Sequence, residues 1–370
     1  MDQARVAALS LNLRSRPNGP VLGVLNENDV VAVTGAAEGN WLPISAAIRG
    51  KVVMGFAASA FLERETPAPT VVAGSIAIPI ADDQAHPVTV AGNVAIGPDG
   101  SHFASACKVG FYAKGVIGLE TYIAAEGVAL VQTPSVLRVL IAVARNEGPL
   151  EAINSYDNSF MSAGFQQWTL GPKNDPGELP VLLARVAATD ATAFSDCFGR
   201  YALGAKANGG RSGFLSLAGT AVISADAKEQ FRSKEWAYRF WRAGHHPSFR
   251  TAQVSLAAER IGIARALPVR GHTAASWLTS EHGVALLLDE HVNRPGHLPG
   301  TLEKAVDELV SNGSPDNPAH WGQNEEAMLI RAYADARTRT SMTDPVGRAN
   351  RLAASRMAGK LSDARGSFVT

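Results

Sequence analysis

Two carboxylates ten residues apart, Glu147 and Asp157, have the settings that acid and base chemistry requires. Glu147 ends a strongly apolar run and is followed at once by Gly148-Pro149. A carboxylate at the end of a helix faces the negative pole of the helix macrodipole, and apolar walls add to that effect. Both raise its pKa, as a general acid needs. Asp157 lies in the polar run Asn154-Ser155-Tyr156-Asp157-Asn158-Ser159, which precedes Met161-Ser162-Ala163-Gly164-Phe165-Gln166-Gln167-Trp168. The two runs read as a polar turn and a return strand folding back over the end of the Glu147 helix. In a plain turn an Asx residue simply bonds its own backbone, and that is the competing role for Asp157. After the apolar stretch 286–288 comes a cluster of polar groups, Asp289, Glu290, His291, Asn293 and Arg294, which could reach the far wall of a cleft. His291 and Arg294 in the same segment also suit a helix C-terminus, where cations oppose the dipole.

Other chemistries find no footing. The histidines, among them His245, His246, His272, His282, His291 and His297, never adopt His-Glu-x-x-His or another zinc spacing. No metal and no cofactor is expected. There is no Gly-x-Ser-x-Gly elbow, and Cys107 and Cys197 lie far apart, which excludes a disulfide framework or a Cys-based zinc site. Gly209-Gly210-Arg211-Ser212 faintly echoes a phosphate loop, but Gly and Arg occupy the Lys and Ser/Thr positions, so a flexible loop beside the cleft is expected. Thirty-four basic residues balance thirty-four acidic ones, which leaves no global field to attract nucleic acid or an anionic bilayer. Apolar stretches are interrupted before the roughly 20 residues a membrane span needs.

The elements that must hold these residues differ along the chain. Residues 4–64 carry short alternating apolar runs (9–13, 21–25, 30–33, 41–44 and 51–56) separated by turn residues, which predicts five strands in a small barrel. Glu65-Thr66-Pro67-Ala68-Pro69-Thr70 is a stiff connector, so a linker is placed at 65–75. Strand-like and turn-rich sequence, with runs at 76–80 and 88–94, continues to about 111. Beyond 119 the period becomes helical: Thr133 caps a helix that starts at Pro134 and stops at Gly148-Pro149. Further helices are expected over 179–188, 225–243, 248–264, 271–294, 302–312 and 324–337, with Trp236, Trp241 and Trp277 in their core. The chain from 335 to 370, rich in Arg, Ala and Ser, reads as a basic tail with a loosely docked helix and a frayed end.

Leu11-Asn12-Leu13-Arg14-Ser15-Arg16-Pro17, Gly23-Val24-Leu25, Trp41, Gly55-Phe56 and Phe61-Leu62 resemble the bacterial SH3-like module of cell-wall enzymes over about 60 residues. Arg16 stands where that family usually has glycine, and Asn28 stands at a usual turn glycine. The resemblance implies a module that grips peptidoglycan, with Trp41 as its stacking surface; the alternative is a structural barrel with Trp41 in its core. The helix-end Glu147 followed by Gly164-Phe165-Gln166-Gln167 resembles the lysozyme superfamily, whose lytic transglycosylases carry a Gly-Leu-Met-Gln strand after the catalytic glutamate. Chitosanases of that superfamily place a second acid seven residues before the strand glycine, where Asp157 stands relative to Gly164. The resemblance implies Glu147 as general acid, Asp157 as second carboxylate, and Gln167 with Ser162 as groups lining the sugar cleft; Tyr156 in the polar run and Asn293 at the far wall are added as candidate substrate-binding residues.

A multi-domain protein is therefore expected: an all-β SH3-like wall-binding module (1–64), a linker (65–75), a mainly α lysozyme-like catalytic domain with a β-hairpin at its active site (76–334), and a basic tail (335–370). The implied activity is that of a muramidase, a peptidoglycan hydrolase cutting between N-acetylmuramic acid and N-acetylglucosamine. The alternatives are a lytic transglycosylase giving anhydro-muramic ends, and a non-catalytic wall-binding or phage structural protein. Glycan strands and stem peptides are the expected partners of a monomer, with neither nucleic acid nor membrane among them. Met1-Asp2-Gln3-Ala4-Arg5 lacks the basic start and apolar core of a secretory signal. Synthesis in the cytoplasm and action at the bacterial wall, by phage lysis or a secretion machine, is the corresponding expectation.

Overall fold

The computed structural model describes residues 3–6, 10–26, 29–48, 51–64, 83, 86–126 and 132–370. The chain divides into two compact units, Met1–Gly74 and Ser75–Thr370. The expected linker over 65–75, the strand at 76–80 and Asn28 lie outside the described residues.

In the first unit all five expected runs form strands, and two short ones are added. They are β1 (Gln3–Val6), β2 (Ser10–Arg14), β3 (Val21–Asn26), β4 (Val30–Val33), β5 (Trp41–Ile48), β6 (Lys51–Ala58) and β7 (Leu62–Arg64). They make one antiparallel sheet in the order β3-β2-β6-β5-β4-β1-β7. Its edge strands β3 and β7 do not pair with each other, so among the described residues the sheet is not a closed barrel. Burial alternates along β5: Leu42, Ile44 and Ala46 join Leu13 and Leu25 in the core, while Trp41 lies on the opposite face, half-buried. The reading of Trp41 as a core residue is thereby corrected; the Arg14 guanidinium lies 6.0 Å from its ring. The sheet also curls. Gly23 of β3 passes so close to β5 that a Cβ there would lie 3.0 Å from Ile48.

The second unit combines an antiparallel sheet with twelve helices among its described residues. The sheet runs in chain order through β8 (Thr89–Ala91), β9 (Val94–Ile96), β10 (His102–Ala106), β11 (Phe111–Ala113), β12 (Ile153–Asn154), β13 (Ser162–Ala163) and β14 (Trp168–Thr169). Two helices, α1 (Leu119–Glu126) and α2 (Pro134–Glu147), are inserted between β11 and β12. A smaller three-stranded sheet, β15 (Leu203–Ala207), β16 (Gly213–Leu217) and β17 (Thr220–Val222), comes after α3 (Leu179–Thr189) and α4 (Ala191–Cys197). The remaining helices are α5 (Ala225–Glu229), α6 (Lys234–Gly244), α7 (Pro247–Ala266), α8 (Ala274–Trp277), α9 (Glu281–Asn293), α10 (Leu298–Ser311), α11 (Gln323–Thr338) and α12 (Pro345–Met357).

Two expected helices are broken, in both cases by a hydroxyl that caps a new start. Over 225–243 the chain stops and restarts where Ser233 Oγ accepts from the Trp236 N–H at 3.3 Å. Over 271–294 the break falls at Thr279 and Ser280, whose backbone N–H groups donate to the buried Glu326 carboxylate at 2.8 and 2.7 Å. The glycine-rich stretch 204–213 is a strand, loop and strand of the small sheet, and Arg211 in that loop pairs with Glu178 at 2.9 Å. The C-terminal segment is not a frayed tail. Leu352, Leu361 and Phe368 are buried in the unit's core, and the Phe368 N–H donates to the Thr279 carbonyl at 3.0 Å. Three of its basic residues, Arg337, Arg348 and Arg365, turn inward to buried acids, as where Arg365 meets Glu326 at 2.6 Å, while Arg339, Arg351, Arg356 and Lys360 pair with exposed ones. No helix is long and apolar enough to cross a membrane among the described residues.

Candidate active site

Helix α2 forms where the sequence places it. Thr133 accepts the Val136 N–H at 3.3 Å, Pro134 takes the first position, and Val136, Val139, Leu140 and Val143 are buried along one side. The Gly148 N–H closes the last turn onto the Ala144 carbonyl at 3.1 Å, leaving Glu147 as the final helical residue. The chain then enters β12, which pairs with β11 (Tyr112 opposite Asn154) and with β13 (Asn154 opposite Ser162). The hairpin expected beside the helix end is therefore present.

The return strand is shorter than expected: β13 ends at Ala163, and Gly164-Phe165-Gln166-Gln167 form the turn into β14, closed by the Gln167 N–H on the Gly164 carbonyl at 2.9 Å. A buried glutamine fastens that turn to the helix end. Gln253 of α7 accepts the Phe165 N–H at 3.1 Å and donates to the Leu150 carbonyl at 2.9 Å. Gly164, at φ +80°, passes so close that a Cβ would lie 2.4 Å from the Gln253 amide oxygen; only glycine suits both the conformation and the space. Glu151, also buried, accepts the Ile117 N–H at 2.8 Å as well as that of Val116, and so ties the loop after β11 to the segment after α2.

These ties frame a cavity of about 550 Å³ whose wall includes Glu147, Gln167, Tyr112, Lys114 and Asn146. Glu147 and Gln167, proposed from distant parts of the sequence pattern, thus face one space. Gln167 is held by its own amide, which donates to the Gly164 carbonyl at 2.9 Å. Tyr156 is exposed and packs edge-on against Tyr112, with ring centroids 6.2 Å apart, which puts it beside the cavity rather than in its wall. Asp157 sits on the hairpin loop and is not a wall residue: its two oxygens accept from the Asn154 amide and the Ser159 N–H, both at 2.8 Å. That is the local Asx turn weighed against catalysis. Ser162 is buried within β13, and Asn293 closes α9 half-buried; neither lines the cavity.

The electrostatics centre on Glu147. Its side chain is 10% exposed, and burial pushes its pKa up, outweighing the opposing pull of Arg348. Arg348 does not neutralise Glu147 alone, because it also bonds Asp289 at 2.8 Å. Asp289, fully buried, further accepts from Arg337 and, at 2.8 Å, from the Asn146 amide next to Glu147. Two guanidinium groups and two carboxylates therefore alternate behind the cavity and compensate one another's burial. Sequence reasoning placed Asp289 in a cluster able to reach a cleft wall, but it missed Arg348, Arg337, Gln253 and Glu151. Only the adjacency of Asn146 to Glu147 hinted at a polar network. His291 is not the cation expected at the end of α9: burial, then Arg260, push its pKa down to about 4, so it is neutral, while Arg294 pairs with Glu290.

The arrangement supplies a protonatable acid in a wall of mixed apolar and polar groups, suited to delivering a proton to a leaving oxygen. Among the described residues no cluster of His, Cys, Asp and Glu forms a metal site. Both cysteines are free; Cys197 is buried, and burial pushes its thiol up to about 12. No protein-family model matches the chain, and no curated protein or solved structure is significantly similar to it.

Proposed function

We propose that this protein is a peptidoglycan hydrolase, a muramidase in which Glu147 is the general acid. The observation that carries the proposal is the position of Glu147: it closes an apolar helix, its pKa is raised by burial, and it opens onto a 550 Å³ cavity shared with Gln167 and Tyr112. In this reading protonated Glu147 donates to the glycosidic oxygen as an oxocarbenium-like state develops, Gln167 and Tyr112 contact the sugar, and Asp157 activates water from the hairpin side. Tyr156 extends the sugar surface through Tyr112, and Ser162 and Asn293 act through the hairpin and the end of α9. The first unit is read as an SH3-like wall-binding module with Trp41 on its outer face as the stacking surface.

The turn bonds of Asp157 favour a second reading, a lytic transglycosylase in which Glu147 works alone and the muramic acid's own hydroxyl attacks. Mass spectrometry of digested sacculi separates the two. Reducing muramic acid ends are expected from the hydrolase and anhydro ends from the transglycosylase; undigested sacculi would refute both.

A further inference from the structure

A second cavity, of about 290 Å³, opens between α9, α11 and α12 and has no role in the proposed bond cleavage. Its floor is apolar, with Leu286 from α9 and Ile330 and Ala334 from α11. The polar groups of its wall are His282, Arg331, Asn350, Arg356 and Asp363. His282 is 6% exposed, and its backbone N–H is used by the Ser362 carbonyl at 3.0 Å. Its ring nitrogens have no hydrogen-bond partner among the described residues and are not among the fully buried unpartnered atoms, so a largely buried imidazole presents its polar atoms to the cavity's open space, where a ligand can bond them.

The charges of the wall do not balance. Arg356 pairs with Asp363 at 2.9 Å, whereas Arg331 has no acidic partner among the described residues. Two guanidinium groups thus face one carboxylate across an apolar floor. A phosphate would leave that floor uncovered, and a neutral aliphatic molecule would leave the cations and the imidazole unmatched. A carboxylate on a short apolar body meets both demands: guanidinium groups bind carboxylates through charge-assisted, directed hydrogen bonds, and the imidazole adds one N–H donor. Burial, reinforced by Arg356, pushes His282 down to about 4, which leaves the ring neutral with one donor and one lone pair at pH 7.

We infer that the cavity between α9, α11 and α12 is a binding site for a small aliphatic carboxylate, held by Arg331, Arg356 and His282 over the Leu286 and Ile330 floor. The ligand is either a free short-chain acid or the apolar C-terminus of a peptide, and both carry the same chemistry.

The test uses the full chain at pH 7 and titrates hexanoate, acetyl-alanyl-alanine and hexanol by calorimetry, with the His282 ring signals followed by NMR. Saturable binding of a carboxylate is expected, at least about tenfold tighter than hexanol, with the His282 signals shifting on binding. Hexanoate as the tighter ligand identifies a free acid, and the dipeptide as the tighter ligand identifies a peptide end. Arg331→Gln, at an exposed position whose change spares the core, should weaken binding about tenfold while leaving the unfolding midpoint in place. The inference is overturned if neither carboxylate binds saturably, if hexanol binds as well, or if Arg331→Gln leaves the affinity unchanged.

Discussion

Glu147 balances two opposing influences, and burial prevails over the Arg348 cation. That has a consequence for stability. The folded state holds the Glu147 proton more tightly than the unfolded chain does, so as pH rises from the ordinary carboxylate range through the raised folded value, ionisation of Glu147 costs the native state stability. Glu147→Gln removes this titration. The variant's unfolding midpoint should therefore gain on that of the parent across the window and hold a constant lead above it, as read by thermal melts from pH 4 to 8. A variant that falls behind the parent with rising pH would show that the Arg348 pairing dominates instead. At this scale Glu147 was legible, because a helix stop carries a local pattern; Gln167 reaches the cavity from the turn between β13 and β14 and not from the strand expected over 164–167. Arg348 and Gln253 were not: they meet the site from far along the chain, through helix packing that no local spacing encodes.

The hairpin joining β12 to β13 is held from outside its own sequence. The Arg232 guanidinium lies 4.7 Å from the Phe160 ring and donates to the Ser155 carbonyl, while the Ser155 hydroxyl accepts the Phe111 N–H at 2.9 Å. Phe160 sits at φ +63°, a conformation that a bulky residue adopts only when its surroundings impose it. Arg232→Ala should therefore loosen the loop that carries Asp157, costing about 1–3 kcal/mol in chemical denaturation. It should also lower kcat on wall substrate more than it raises KM, and Arg232→Lys should restore little, because an ammonium cannot both stack and reach the carbonyl. Unchanged kcat and stability would mean that the hairpin has no part in catalysis. The helix and hairpin themselves could be read from Thr133-Pro134, Gly148-Pro149 and the polar run 154–159. The interruptions at Ser233 and at Thr279-Ser280 could not, since the apolar period continues through them and hydroxyl caps leave only a weak mark on it.

On the scale of the whole molecule, the change from strand to helix was plain in the period of the apolar residues, and the course of the C-terminal segment was not. Its Arg-rich composition suggests solvent, yet Arg348 and Arg365 serve acids that the rest of the unit has already buried. In the proposed function the first unit raises local concentration at the wall and takes no part in bond cleavage. Deleting residues 1–64 should weaken pelleting with insoluble sacculi and leave the rate on short soluble muropeptide chains nearly intact. Equal loss of both would make the first unit part of the catalytic machinery.

The central claim is that Glu147 delivers the proton that breaks the glycosidic bond. Its most direct test is the initial rate at which purified sacculi yield new saccharide ends, reducing and anhydro together, for the parent and for Glu147→Gln under identical conditions. General acid catalysis is worth about 10²- to 10⁴-fold, so the variant should lose at least about a hundredfold in rate while remaining folded and still pelleting with the wall. A folded Glu147→Gln protein that releases ends at the parent's rate would contradict that claim.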